Sequence, residues 1–205
     1  MIEVELKFEL PPEAKSGFKK HFPMMRLVRC LKNSDIYYDT PAFDLLRQAV
    51  FVRVRNQRRL EFKFNEQAAP AHIQSIERSF SLRPSPSQAQ EMHALFSRFL
   101  PHWHAAAPVE EALCRNGMME LARIEKQRTQ YSYRGLIICM DKVEGLGEFL
   151  EIEIQCEDGS NTQQAVARIQ NLAADFAAQP VRVGYVELWL RKYHPHVYCL
   201  GKYHV

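Results

Sequence analysis

The sequence predicts an α+β fold in which about eight antiparallel strands form a barrel or a strongly curved sheet, with helices outside it. Two observations predict the sheet: several segments alternate charged and apolar residues with the period of a β-strand, and short turns join consecutive segments. A third observation is that charge is sorted between strands. Paired acids or paired arginines occupy one face of Glu3-Val4-Glu5, Arg53-Val54-Arg55 and Glu151-Ile152-Glu153.

The same alternation occurs in a sheet that has one face on a core and the other in water. For a single strand this is the commoner explanation. The grouping of charge favours a functional face instead, because like charges at positions i and i+2 repel each other, and a solvated face more often mixes signs or uses Thr, Ser and Gln. We therefore expect the paired acids and the paired arginines to face one shared lumen.

The first half of the chain predicts five strands and one helix. The prolines at positions 11 and 12 suit the first turn of a helix that ends near residue 21. The third and fourth strands form a hairpin, because only a short polar turn separates them. The strands are predicted over residues 1–10, 35–38, 50–56, 59–65 and 75–82.

The second half predicts three further strands and four helices. A break at residues 84–87 precedes the first helix, and Asn161 caps the third. Turns at Arg134-Gly135 and Gly145-Leu146-Gly147 join the strands closely. The strands are predicted over residues 123–133, 136–143 and 148–155, and the helices over 87–99, 109–116, 161–176 and 185–193, before a short tail.

Composition excludes several classes of protein. The net charge of +3 and the pI near 8.6 are mild and include no basic block, so a nucleic-acid partner is not expected. No apolar run precedes the first strand or approaches ~18 residues, so we expect a cytoplasmic protein without signal peptide or membrane contact. One domain over residues 1–205 is expected, as a monomer or a homodimer. The five scattered cysteines predict reduced thiols rather than a zinc site.

A lumen that carries both signs of charge suits a polyphosphate accompanied by a metal ion. Arginine forks match phosphate oxygens. Carboxylates repel them unless a divalent cation lies between the two groups. No Gly-x-x-x-x-Gly-Lys-Ser/Thr loop is present, which excludes a P-loop mechanism.

Several segments together resemble the CYTH, or triphosphate tunnel metalloenzyme, superfamily of class IV adenylyl cyclases and thiamine triphosphatases. They are Glu3-x-Glu5-x-Lys7, Tyr37-Tyr38-Asp39-Thr40-Pro41, Arg53-x-Arg55, Lys63, Ile124-Glu125-Lys126-Gln127-Arg128, Asp141 and Gly145-Leu146-Gly147-Glu148-Phe149-x-Glu151-x-Glu153. Their order and spacing span nearly the whole chain. The resemblance implies an antiparallel β tunnel, closed as a barrel of about eight strands, whose lumen binds a small-molecule triphosphate and Mg²⁺, with Mn²⁺ as the alternative.

The resemblance also implies a role for individual residues. The implied metal ligands are Glu3, Glu5, Asp141, Glu151 and Glu153, and the implied phosphate-binding cations are Lys7, Arg53, Arg55 and Arg128. Lys63 and Tyr37 are the implied catalytic pair that activates the attacking water. An unperturbed lysine is a poor base at neutral pH, so a base at Lys63 requires a lumen that lowers its pKa.

Each of these residues also has a structural explanation. A lone acid on a strand is more often solvated than functional, and Asp141 lies near a strand end where a turn aspartate is common. Arg128 lies in a polar stretch and could face water, and Tyr37 could be a core tyrosine. One position departs from the family pattern: Ser75 replaces an arginine that many members carry two residues before the acid matching Glu77. The phosphate clamp would then lack one cation unless Arg78 or Arg83 replaces it.

Two features point to the organic part of the substrate. Phe51 lies where animal thiamine triphosphatases carry a tryptophan, and an aromatic face suits a cationic thiazolium ring. The segment Trp189-Leu190-Arg191-Lys192-Tyr193-His194-Pro195 also resembles the C-terminal helix of those enzymes. We therefore expect a metal-dependent hydrolase that converts thiamine triphosphate to thiamine diphosphate and phosphate. The alternatives are a class IV adenylyl cyclase, an inorganic triphosphatase, and a tunnel that binds polyphosphate or nucleotide without turnover.

Overall fold

The computed structural model describes residues 2–11, 22, 24–64, 76–156, 161–174 and 179–202. Over these residues the chain forms nine strands. They are β1 (Ile2–Glu9), β2 (Arg26–Asp39), β3 (Phe51–Arg55), β4 (Arg59–Phe64), β5 (Ile76–Ser81), β6 (Met119–Tyr133), β7 (Leu136–Val143), β8 (Gly147–Cys156) and β9 (Gln179–Val181). The helices are α1 (Pro86–Phe99), α2 (Val109–Arg115), α3 (Thr162–Ala174), α4 (Tyr185–Tyr193) and α5 (Pro195–Tyr198), with a short 3-10 helix at Leu46–Gln48.

The strands form one antiparallel sheet in the order β5-β4-β3-β2-β6-β7-β8-β1-β9. This confirms an α+β protein with a large antiparallel sheet. The strands β5 and β9 are the two edges, and within the described residues no hydrogen-bonded pairing joins them. The predicted closed barrel is therefore not confirmed.

Several elements differ from the prediction. The strand β2 begins at Arg26 rather than near residue 35, because its first part pairs with β6 while being exposed on both faces, so it shows no alternation of burial. The edge strand β9 was not predicted, since it has three residues and contains Pro180, which an edge strand tolerates. The tail contains α5, with Pro195 in its first turn. The helix predicted from residue 11 to about residue 21 lies, apart from Pro11, outside the described residues.

Apolar side chains pack on one face of the sheet beneath the helices. Leu150 and Ile152 belong to the cluster that includes Ile169 of α3, and Phe62 packs edge to face on Phe96 of α1 with ring centroids 4.6 Å apart. Because side chains alternate along a strand, the opposite face carries the charged residues. The core thus fixes the direction in which the charged residues point.

The turn after β2 is held by a buried carboxylate, that of Asp39. It accepts hydrogen bonds from the backbone N–H groups of Thr40, Leu45 and Leu46 at 2.7, 3.0 and 2.9 Å. Three backbone donors at one carboxylate fix the path from β2 through the 3-10 helix to β3. The aspartate of the Tyr-Tyr-Asp-Thr-Pro segment therefore has a structural role.

We expect Asp39→Ala to lower the free energy of unfolding by about 2–4 kcal/mol, because buried donors that bonded a charged group lose their acceptor. Urea unfolding followed by circular dichroism measures this change. The control is Glu111→Ala, which removes an exposed ion pair with Arg115 and should change stability by less than about 1 kcal/mol. Equal losses in both variants would contradict the role given to Asp39.

Candidate functional site

The charged face of the sheet encloses a cavity to which seven strands and the start of α4 contribute side chains. Among the described residues, seven cationic and six acidic side chains line it. They are Lys7, Arg53, Arg55, Lys63, Lys126, Arg128 and Lys202, with Glu5, Glu61, Glu77, Glu151, Glu153 and Glu187. Charge in the cavity is therefore nearly balanced, so a highly charged anion gains little from net charge alone.

Three glutamates lie together at one side of the cavity. The antiparallel pairing of β1 with β8 places Glu5 opposite Glu153 and Lys7 opposite Glu151. Carboxylate oxygens of Glu5, Glu151 and Glu153 all lie within 4.8 Å of one another. Like charges directly opposite each other on neighbouring strands repel. A bound cation would relieve this repulsion.

The donor set fits a hard divalent cation. Mg²⁺ takes oxygen ligands at about 2.0–2.1 Å, so two ligands on opposite sides of the ion are about 4.2 Å apart. The three carboxylates could thus converge on one ion with small side-chain movements. Oxygen donors favour Mg²⁺ or Mn²⁺ over softer metals. The backbone of Glu3 pairs with Gln155 in β1, but its side chain lies outside the described part of the structure.

Glu151 is the most strongly held of the three acids. Lys7 Nζ lies 3.1 Å from its Oε1, and Arg128 binds its Oε2. Burial alone would raise the pKa of Glu151, but the nearby charges of Lys7, Arg128 and Lys126 outweigh burial and hold the pKa well below its ordinary value. Glu151 is therefore ionised, and each of its two oxygens contacts a cationic side chain.

The carboxylate of Asp141 is fully buried and accepts hydrogen bonds from protein donors. Arg128 Nε donates to Oδ1 at 2.7 Å, and Arg128 Nη2, Tyr185 Oη and Lys126 Nζ reach Oδ2 at 2.6, 2.9 and 3.1 Å. Three donors therefore reach Oδ2 and one reaches Oδ1. In this structure Asp141 orients Arg128. Its implied part in binding a metal remains a prediction.

Two residues near Asp141, namely Lys126 and Tyr185, were not predicted as site residues. Burial lowers the pKa of Lys126 more than its acidic neighbours raise it. Burial, reinforced by Glu151 and Asp141, raises the pKa of Tyr185 well above its ordinary value, so its hydroxyl stays a donor. Strand parity with Arg128 could have indicated Lys126. Nothing in the sequence indicated Tyr185, because its place depends on how α4 packs on the sheet.

The two predicted phosphate-binding arginines of β3 share two acids. Arg55 donates to both oxygens of Asp35 at 2.7 Å, and Arg53 Nη1 lies 3.4 Å from the same carboxylate. Glu61 lies 2.8 Å from Arg53 Nη2 and 3.3 Å from Arg55 Nη1. Asp35 and Glu61 were missed, because they lie across from Arg55 and Arg53 only once the register of β2, β3 and β4 is known.

Tyr37 and Lys63, the predicted catalytic pair, both line the cavity. The Tyr37 hydroxyl accepts a hydrogen bond from Arg53 Nη1 at 3.0 Å, which leaves its own proton available to a ligand. Burial alone would lower the pKa of Lys63, but Glu5 and Glu77 outweigh burial, and the pKa lies above its ordinary value. The acids around Lys63 therefore favour its charged form.

Phe51 lies on the cavity face of β3, opposite Lys63 in the register of β4. It shares that face with Arg53 and Arg55, as strand parity predicts. The side chain is half-buried and packs against the cluster that contains Leu46. The aromatic ring therefore belongs to the cavity wall.

The structure describes only part of the segment around Ser75, the position at which the sequence departs from the family pattern. Ser75 itself lies outside the described residues. Glu77 lines the cavity, and its Oε1 lies 3.2 Å from Lys63 Nζ. Arg78 and Arg83 are exposed and are not among the described residues of the cavity wall, so neither replaces the missing arginine in this structure.

Comparison with known proteins identifies the family. The sequence matches the family model of the CYTH domain over residues 1–181. The chain belongs to the CYTH domain family. The CYTH match includes every strand described above and ends before α4. The chain matches none of the curated proteins with which it was compared.

Solved structures share the CYTH fold with this chain. The PH1819 protein from Pyrococcus horikoshii OT3 is 24% identical, with a TM-score of 0.64 over 93% of this chain and 99% of that one. A candidate adenylate cyclase from Vibrio parahaemolyticus is 20% identical, with a TM-score of 0.60 over 92% and 98%. The candidate adenylyl cyclase HpAC1 from Hippeastrum, described as having a dominant triphosphatase activity, is 18% identical, with a TM-score of 0.56 over 92% and 94%. At these identities the likeness shows the fold alone.

Among the helices that the structure describes, each is too short or too polar to cross a membrane.

Proposed function

We propose that this CYTH protein is a divalent-metal-dependent hydrolase of triphosphates, with thiamine triphosphate as its leading substrate. The observation that carries the proposal is the placing of three carboxylates and a set of arginines and lysines on the walls of one cavity. Because charge there is nearly balanced, a triphosphate would enter with a divalent cation that compensates the glutamates.

We further propose that residues 1–205 form one cytoplasmic domain, a monomer or homodimer, whose curved sheet acts as a tunnel.

Each group of residues has a proposed part in the reaction. Glu5, Glu151 and Glu153, with Glu3 and Asp141 as further candidates, would hold the cation. A bound Mg²⁺ or Mn²⁺ would polarise the phosphoryl oxygens and neutralise charge on them. Five of the seven described cations of the wall would bind the phosphates, namely Lys7, Arg53, Arg55 and Arg128, joined by Lys126.

The proposed catalytic pair remains Tyr37 and Lys63, with a changed role for the lysine. As a cation, Lys63 would stabilise negative charge on the transferred phosphoryl group rather than remove a proton from water. Tyr37 would donate its free proton to a phosphoryl oxygen or orient the attacking water. Both roles require only side chains that already line the cavity.

The substrate preference is predicted to depend on Phe51. If its ring faces the thiazolium, Phe51→Ala should lower kcat/KM for thiamine triphosphate about 5- to 30-fold, equivalent to ~1–2 kcal/mol for a desolvated cation–π contact. Inorganic triphosphate should be nearly unaffected, because it has no organic part. Steady-state phosphate release from both substrates measures the difference. Phe51→Leu, which keeps apolar volume but removes the aromatic face, should behave like Phe51→Ala.

If Phe51→Ala lost kcat/KM equally on both substrates and had a lower melting temperature, Phe51 would be assigned to the core. Thiamine would then have no support from this position. An unchanged kcat/KM for thiamine triphosphate would lead to the same conclusion.

The alternative reaction is that of an adenylyl cyclase, which is favoured by the fold shared with the candidate cyclase from Vibrio parahaemolyticus. Purified protein with excess Mg²⁺ should be given thiamine triphosphate, inorganic triphosphate and ATP, and the products scored for phosphate, pyrophosphate and cyclic AMP. We expect phosphate as the product, with the largest amount released from thiamine triphosphate. Cyclic AMP with pyrophosphate would establish the cyclase, a preference for inorganic triphosphate would establish that substrate, and binding without any product would indicate a non-catalytic tunnel.

A further inference from the structure

Tyr185 is the first residue of α4 and follows the part of the chain that the family model matches. It is buried and lines the cavity beside residues from β1 and β6. Its position is fixed from two sides. The N–H of Gly184 donates to Glu187 Oε2 at 2.5 Å, which sets the start of α4, and Phe149 packs edge to face on the Tyr185 ring with centroids 5.1 Å apart.

Hydrogen bonds link the hydroxyl of Tyr185 to Arg128 through the carboxylate of Asp141. It donates to Asp141 Oδ2 at 2.9 Å, and the same carboxylate receives two hydrogen bonds from Arg128. A bidentate pair fixes the plane of a guanidinium group. That plane directs Arg128 towards Glu151 and Glu153, so a displaced Asp141 would misdirect it.

The ring of Tyr185 lies beside two lysines. Lys7 Nζ is 4.1 Å and Lys126 Nζ is 4.8 Å from the ring centroid. A lysine is flexible and strongly hydrated, so holding two of them in a buried wall needs partners that substitute for water. The electron-rich face of the ring is one such partner. Glu151 and Asp141 are the others, at 3.1 Å from Lys7 and Lys126, respectively.

We propose that Tyr185 is a positioning residue of the phosphate site: its hydroxyl orients Arg128 through Asp141, and its ring holds Lys7 and Lys126 in place. This inference rests on the proposed triphosphate function. It gives α4 a part in the site, since without Tyr185 the two lysines lose a shared partner and Asp141, which holds Arg128, loses a donor. The residue would touch no reacting atom and would act through binding.

The test compares Tyr185→Phe and Tyr185→Leu with Tyr193→Phe as the matched control. Tyr193 lies on the same helix and donates to the Gly145 carbonyl at 2.9 Å, away from the described wall of the cavity. Two readouts are used: KM and kcat for inorganic triphosphate, and the dissociation constant of diimidotriphosphate, which is not hydrolysed, measured by calorimetry with excess Mg²⁺. The second readout does not depend on turnover.

For Tyr185→Phe we expect KM and the dissociation constant to rise about 10-fold, the order expected for one hydrogen bond to a charged group. For Tyr185→Leu we expect a further increase of about 3- to 5-fold from the lost ring. The control should keep both values, and its melting temperature should fall less than that of Tyr185→Phe, because Tyr193 is exposed and Tyr185 is buried. If Tyr185→Leu does not fold, Tyr185→Phe decides.

Wild-type values of both constants in Tyr185→Phe would overturn the inference, as would a lower kcat with an unchanged KM, which indicates only a smaller folded fraction. Diimidotriphosphate binding that weakens in the variants of a protein that releases no phosphate would contradict the proposed hydrolysis but support the role of Tyr185. A wild-type protein that does not bind diimidotriphosphate would overturn both.

Discussion

Replacing Glu5 or Glu153 by glutamine should lower triphosphate hydrolysis by at least about 100-fold, because each change removes a ligand charge from a metal that supplies several kcal/mol of transition-state stabilisation. The side-chain volume is unchanged, so the fold should persist. Two acids that face each other across neighbouring strands repel, and the metal-free variants should therefore melt no lower than the wild-type protein. Activity should stay low at high Mg²⁺.

The matched control is Glu9→Gln. Glu9 lies on β1 with the same parity as Glu5, but it is exposed and is absent from the described wall of the cavity. It should keep wild-type activity. A second readout is thermal: Mg²⁺ should raise the melting temperature of the wild-type protein, since a ligand that binds the native state stabilises it, and should do so less in Glu5→Gln. Unchanged activity in both Glu5→Gln and Glu153→Gln would rule out the proposed metal site.

Arg55→Ala should weaken triphosphate binding by roughly 2–4 kcal/mol, the range for truncating one partner of a buried charged pair. The effect on a diphosphate should be smaller, because fewer phosphate oxygens reach β3. Arg55 also neutralises the buried Asp35, so the variant is expected to be less stable as well. Binding of diimidotriphosphate and of pyrophosphate by calorimetry, beside urea unfolding, separates the two effects.

A double variant, Asp35→Asn with Arg55→Ala, distinguishes binding from folding. Removing the charge of the acid that has lost its bidentate partner should recover stability but not affinity. Arg59→Ala is the control on the neighbouring strand, because Arg59 lies opposite Arg55 in the register and is exposed. Equal losses for the triphosphate and the diphosphate would indicate that Arg55 only supports the fold.

The fold class could be predicted because alternation in the strands is driven by burial of one face. This holds for β1, β3, β4 and β8, whose apolar faces pack in the core. It fails where burial does not alternate, as in the first part of β2, and where an element is very short, as in β9. Closure of the sheet could not be judged from the sequence, because it depends on the curvature accumulated over all strands.

Within the site, residues that share a strand face could be placed from sequence, and partners across strands could not. Glu5 with Lys7, Arg53 with Arg55, and Glu151 with Glu153 follow from parity alone. Asp35 and Glu61 required the register, and Tyr185 required the packing of α4. The pKa of Lys63 was also beyond the sequence, since it depends on acids that pairing brings near it.

The central claim is that the cavity hydrolyses triphosphates with the help of a divalent cation held by its glutamates. It is tested most directly by phosphate release from thiamine triphosphate by wild-type protein stripped with EDTA and then titrated with Mg²⁺ or Mn²⁺. We predict no release in EDTA and saturable recovery as the metal is added, with the same metal concentration raising the melting temperature. Release that persists in EDTA, or no release from thiamine triphosphate or inorganic triphosphate at saturating metal, would contradict this account.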